Sequence, residues 1–95
     1  MRIIYSQKAK SDLFGILEYY GSIKQLIKGR RLRAKLILAT AKLRDFPKLG
    51  KKDEDFTLKN KTVCRALIVG NYKIIYRIVE NEYIRVLRFY DMRQQ

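Results

Sequence analysis

Tyr72-Lys73-Ile74-Ile75-Tyr76-Arg77-Ile78-Val79 alternates with a period of two, the mark of a strand with two unlike faces. Tyr72, Ile74, Tyr76 and Ile78 form an apolar face that needs a cover, while Lys73, Ile75, Arg77 and Val79 form the other. The runs at 62–69 and 83–90 are also rich in Val, Ile, Leu and Tyr. Gly70-Asn71 and Glu80-Asn81-Glu82 between them are good hairpin turns, so the three runs predict an antiparallel meander. The register of the first hairpin stays open. A three-residue loop sets Arg65 opposite Arg77, whereas a two-residue Gly70-Asn71 loop sets Cys64 there and turns Arg65 away.

Ahead of the meander the period changes. Residues 2–6 read as a short strand, and Ser6 can cap a helix over about 7–20 with an apolar stripe of Ala9, Leu13, Ile16, Leu17 and Tyr20. Gly21-Ser22 ends it, with Ser22 the expected cap of a second helix over about 23–45. That helix places Ile23, Ile27, Ala34, Ile37, Leu38 and Ala41 on one face, with Lys24, Lys28, Arg31, Lys35 and Lys42 largely off it. Gly29 weakens it by about 1 kcal/mol relative to Ala. Phe46-Pro47 stops it, because the residue before Pro is pushed out of the helical region. Residues 48–61 read as a loop, with Asp53-Glu54-Asp55 a solvated acidic tip and Phe56-Thr57-Leu58 a brief strand. The expected fold is α+β in the order β-α-α-β-β-β: an antiparallel helical hairpin on one face of a small antiparallel sheet, with the other face open. A single domain over residues 1–95 is expected.

The composition narrows the function. The 95 residues hold 22 Lys and Arg against 9 Asp and Glu, a net charge of +13, with no His and one Cys. Such a balance points to a polyanionic partner: nucleic acid, ribosome, anionic surface or acidic protein. Missing imidazole excludes Ser-His and Cys-His nucleophiles and the zinc sites that need His. No metal-ligand spacing, phosphate loop or dinucleotide fingerprint is present, so neither a metal nor a cofactor is expected. No apolar run approaches a membrane span, and the start of the chain turns polar too soon for a signal peptide, which points to the cytoplasm. Cys64 reads as a small core residue.

The polar groups left on the meander are cationic or phenolic: Arg65, Lys73, Arg77, Arg85, Arg88 and Arg93, with Tyr72, Tyr76, Tyr83 and Tyr90. Arg and Lys hold phosphates and Tyr rings stack on bases, which suits single-stranded nucleic acid. The same cations can stabilise a phosphorane during RNA cleavage, but the only general bases on offer are Tyr90, Lys73 or the geometry of the 2′-OH. The plain alternative is a set of solvated strand faces whose Arg stems pack on apolar neighbours.

Read together, several segments resemble the RelE/ParE superfamily of toxins from type II toxin–antitoxin systems. They are Tyr5-Ser6, Ala9, Asp12-Leu13, Ile16 and Tyr19-Tyr20; then Leu43 and Phe46-Pro47-Lys48-Leu49-Gly50. They continue through Arg65-Ala66-Leu67-Ile68-Val69, the strand from Tyr72, and Ile84-Arg85-Val86-Leu87-Arg88, and close with Asp91-Met92-Arg93-Gln94-Gln95. The resemblance implies a toxin neutralised by a cognate antitoxin with an acidic C-terminal segment, in a toxin–antitoxin hetero-oligomer without membrane contact. RelE-like members cleave mRNA on the ribosome; ParE-like members poison DNA gyrase. On the RelE-like pattern the catalytic candidates are Lys73, Arg93, Arg65 and Tyr90, with Arg77, Arg85 and Arg88 contacting nucleic acid or the target. Cys64 and Ala66 stand where that pattern has two lysines, and Tyr90 replaces its C-terminal Tyr only by turning inward. These departures and the long second helix weigh toward a ParE-like gyrase poison, with the ribonuclease as alternative. A non-toxic nucleic-acid-binding module is the third reading.

Overall fold

In a computed structural model that describes residues 1–94, the chain forms β1 (Arg2–Tyr5), α1 (Gln7–Ser22), α2 (Leu26–Ala41), a 3-10 turn (Lys42–Arg44), β2 (Lys51–Lys52), α3 (Glu54–Asn60), β3 (Arg65–Val69), β4 (Tyr72–Val79) and β5 (Tyr83–Asp91). The five strands make one sheet in the order β1-β5-β4-β3-β2. The α+β class and the β-α-α-β-β-β order are borne out, with β1 running parallel to β5 and every other pair antiparallel. The core lies between the helical hairpin and the inner face of the sheet: Ala9, Leu13 and Ile16 of α1, Leu36 of α2 and Leu43 meet Tyr72, Ile74, Tyr76, Ile84, Val86 and Phe89.

Ser6 caps α1 as expected, accepting a hydrogen bond from the Ala9 N–H at 3.0 Å. Its hydroxyl donates in turn to the Leu87 carbonyl at 2.9 Å, which ties the start of the helix to the sheet. The helix runs on to Ser22, two residues past the expected stop. Ser22 caps nothing and donates instead to Tyr19 O. The turn is made by Lys24, at φ 59°, and α2 starts after Gln25 without a side-chain cap.

The buried face of α2 is turned well away from the expected one, although Ile37 of the expected stripe still packs against the core. Gly29, Leu36 and Thr40 are buried, while Ile27 is 66% and Leu38 70% exposed. The sequence offers α2 two stripes on opposite sides, and Gly29 selects between them. It lies so close to Tyr20 that a Cβ there would stand 2.7 Å from the Tyr20 Cβ, so only this side lets the two helices approach. Regular α-helix ends at Ala41 and the 3-10 turn carries the chain on to Arg44.

Residues 48–61 are not a plain loop. Asp53 caps α3 through a 3.0 Å bond from the Phe56 N–H, and Phe56-Thr57-Leu58 lie in this helix, not in a strand. The acidic run is a cap with Glu54 and Asp55 in the first turn, where carboxylates are favoured by the helix dipole. The outer face of the sheet is therefore not open. Asp53, Cys64 and Ile75 are all buried on the side where α3 sits, and Phe56 packs edge-on against Tyr90 at 5.8 Å.

Candidate functional site

Register decides which cations share a face. Val69 pairs with Tyr72, so Gly70-Asn71 is a two-residue loop with Gly70 at φ 59°, and Arg65 pairs with Tyr76. Arg65 thus points to the helix side, away from Lys73 and Arg77. There its guanidinium donates to the Gly50 carbonyl at 2.8 Å. Between β4 and β5 the pairing slips: Tyr76 faces Val86, but Ile75 faces Arg88, leaving Leu87 as an extra residue. This β-bulge puts Arg85 and Arg88 on the same outer face, although strict alternation would separate residues three apart. The spacing of the buried Ile84, Val86 and Phe89, two and then three, is its mark in the sequence. Arg77 stands directly opposite Arg85, and Lys73 directly opposite Tyr90.

Three of these cations are already held by carboxylates. Lys73 Nζ lies 3.0 Å from Asp53 Oδ2. Burial pushes the Asp53 carboxyl up, but the Phe56 N–H and Lys73 outweigh it and hold the group below the ordinary range. Arg88 makes a two-pronged contact with Asp12 at 2.8 and 3.2 Å, and Asp12 also accepts from the Phe89 N–H. Arg93, 60% exposed at its side chain, pairs with Asp91 at 3.0 Å, and this bond lowers the Asp91 carboxyl. By contrast, no carboxylate among the described residues comes within 4.0 Å of Arg77 or Arg85.

The four catalytic candidates do not converge. Lys73 and Tyr90 share a cleft with Asp53, Phe56 and Met92, but the Tyr90 hydroxyl donates to the Gln94 carbonyl at 3.0 Å. Arg65 lies on the other face, and Arg93 comes after the end of β5 at Asp91. Cys64 is buried, and that burial pushes its thiol up, so it is a poor nucleophile. What the outer face offers is hydrogen-bond donors and positive charge. The Asp53 carboxylate beside Lys73 is already engaged by that lysine and by the Phe56 N–H.

The family model for the ParE toxin of the type II toxin–antitoxin system parDE matches residues 3–95. The chain belongs to the ParE toxin family. A solved chain of the chromosomal ParDE toxin–antitoxin system from P. aeruginosa has a similar fold, with a TM-score of 0.75, 19% identity, and coverage of 94% of this chain and 92% of that one. No curated protein matches the sequence.

This ParE-family chain carries two further features beside the expected ones. A cleft of about 410 Å³ lies between the start of α1, α3 and β5, lined by Lys8, Phe56, Lys59, Arg85 and Leu87. Lys8 and Lys59 were missed in the sequence because each looks like an ordinary exposed helix lysine; only α3, read as a loop, brings Lys59 to the wall. A second groove, of about 610 Å³, runs between α2 and β3, with Ala34, Leu38 and Ile68 along it and Arg31, Lys35 and Lys42 around it. Beside it β2 pairs only with Arg65 and Ala66, so among the described residues the outer edge of β3 at 67–69 has no strand neighbour. Among the described residues no helix is long and apolar enough to cross a membrane, and no acidic, Cys or His cluster could hold a metal ion.

Proposed function

We propose that this ParE-family toxin arrests growth by docking on DNA gyrase, without chemistry of its own. The observation that carries the reading is the internal pairing of the cations a nuclease would use: Asp53 holds Lys73, Asp91 holds Arg93, and Arg65 serves the opposite face. A phosphorane needs donors free to meet developing charge and a base to start the reaction. The helical hairpin instead presents Phe14, Tyr19, Ile27 and Leu38 as exposed large apolar side chains on a cationic surface, which is what a protein-docking face requires.

A cognate antitoxin is the partner that keeps the toxin silent. The groove between α2 and β3 suits a segment that is apolar on one side and acidic on the other. Leu38 and Ile68 receive the first, Arg31, Lys35 and Lys42 the second, and the unpaired edge at 67–69 offers main-chain hydrogen bonds. The ribonuclease reading retains one favourable feature, the facing pair Lys73 and Tyr90.

Induction without antitoxin, with DNA and protein synthesis measured separately, tests the proposal. An early DNA-damage response with intact mRNA is expected. Translation stopping first, with cleaved mRNA, overturns it in favour of the ribonuclease, and unimpaired growth overturns both.

A further inference from the structure

Arg77 and Arg85 stand directly opposite each other on β4 and β5, an arrangement of like charges that costs stability. The Arg77 Nε is buried with no acceptor among the described residues. Lys59 and Lys8 line the cleft beside Arg85, and they too have no carboxylate within 4.0 Å among those residues. The first turn of α1, which forms one wall, holds no acidic residue to offset the positive end of the helix dipole. The chain supplies an Asp to Lys73 and to Arg88, the latter lining this same cleft, but none to Arg85, Arg77, Lys59 or Lys8 among the described residues.

We propose that this cleft binds the phosphodiester backbone of a nucleic-acid strand through Arg85, Lys59 and Lys8, with Arg77 adding charge from the neighbouring strand. The site deepens the toxin reading given above. A peptide partner fits it less well than a phosphate chain. β5 is paired to β4 and, over Tyr83–Val86, to β1. Beyond β1 the Leu87 carbonyl is taken by the Ser6 hydroxyl and the Phe89 N–H by Asp12, so the cleft offers little free strand edge for main-chain bonding, unlike the groove beside β3. Point anions are what separate cations on three different elements can grip, and guanidinium forks match phosphate oxygens. DNA held by gyrase and RNA share this chemistry.

The test uses the purified full chain with short fluorescent single strands of DNA and of RNA, titrated at several salt concentrations. Replacing Lys59→Gln and Arg85→Gln together removes two contacts and should lower the slope of log K against log salt by about 1.4. The pair Lys8→Gln and Lys59→Gln, both on exposed helix positions, gives a second reading that leaves the sheet untouched, and thermal unfolding checks each fold. Arg31→Gln with Lys35→Gln, equal in charge change but on the other groove, should leave the slope nearly unchanged. Tighter binding of DNA, or of RNA, supports the site and assigns its source. An unaltered slope in the cleft variants, an equal fall in the Arg31 and Lys35 control, or no binding of either strand overturns it. So does polyglutamate competing as well as polyphosphate at equal charge. Because binding is measured on the purified chain, the site can fail while gyrase poisoning stands, and the reverse.

Discussion

Lys73 on β4 is gripped by Asp53, the residue that starts α3, with 3.0 Å between Nζ and Oδ2. The other carboxylate oxygen caps the helix through the Phe56 N–H, so one Asp joins α3 to the sheet and neutralises the cation that resemblance placed at the centre of a catalytic site.

This pair makes stability depend on pH. The folded Asp53 carboxyl titrates below its ordinary value, so its contribution is present above about pH 4 and is lost as pH falls through the folded value. Asp53→Asn should cost about 1–3 kcal/mol at pH 7, because it leaves Lys73 without its counter-charge. Urea unfolding from pH 7 down to pH 2 checks this: the gap between wild type and variant should close as the solution becomes acidic.

Two glycines in the hairpin should respond to Ala in opposite directions. Gly15 in α1 has nothing within 4 Å of an added Cβ, so Gly15→Ala should stabilise by about 1 kcal/mol through helix propensity. At Gly29 the same gain is opposed by the clash with the Tyr20 Cβ, an atom that moves only with its backbone. Overpacking costs about 1–3 kcal/mol, so Gly29→Ala should be net destabilising. Thermal unfolding of the two variants beside the wild type measures both signs.

Those glycines also show where the sequence was legible. The meander and the two-helix order followed from periods of two and of about 3.6, because burial enforces each period along a whole element. The choice between the two stripes of α2 did not, since it rests on one close approach between Gly29 and Tyr20 that no local pattern records. Short α3 was hidden by its charge: Asp53-Glu54-Asp55 looks like a solvated tip unless Asp53 is read as a cap. At the site, alternation placed Lys73 and Arg77 on the face away from the hairpin, and the two-residue turn then fixed Arg65 on the opposite one. The Asp partners of Lys73 and Arg88 come from residues 20 and 76 positions away, a distance over which sequence pattern carries no signal.

Tyr76 and Arg65 should prove structural. The Tyr76 hydroxyl donates to the Pro47 carbonyl at 2.7 Å and accepts from the Gly50 N–H at 2.9 Å, while Arg65 donates to the Gly50 carbonyl. Tyr76→Phe leaves a buried N–H unpaired and should cost about 1–3 kcal/mol. Arg65→Met should lower the unfolding midpoint as well. Neither should shift the balance between DNA damage and mRNA cleavage in induced cells, once folded protein is matched.

The sharpest division lies between the outer sheet face and the hairpin. Lys73→Ala with Tyr90→Phe removes the one pair a ribonuclease could still use, where losing a single charge-stabilising donor costs on the order of 10²-fold in rate. If docking is the mechanism, growth arrest by that variant should survive at matched levels of folded protein. Phe14→Ser with Ile27→Ser alters only exposed side chains and should change stability by about 0.5 kcal/mol or less per site. Yet it should weaken the arrest, because two of the four apolar side chains offered to the target are lost. Scoring both variants for arrest and for mRNA integrity reverses the assignment if the first loses toxicity and the second keeps it.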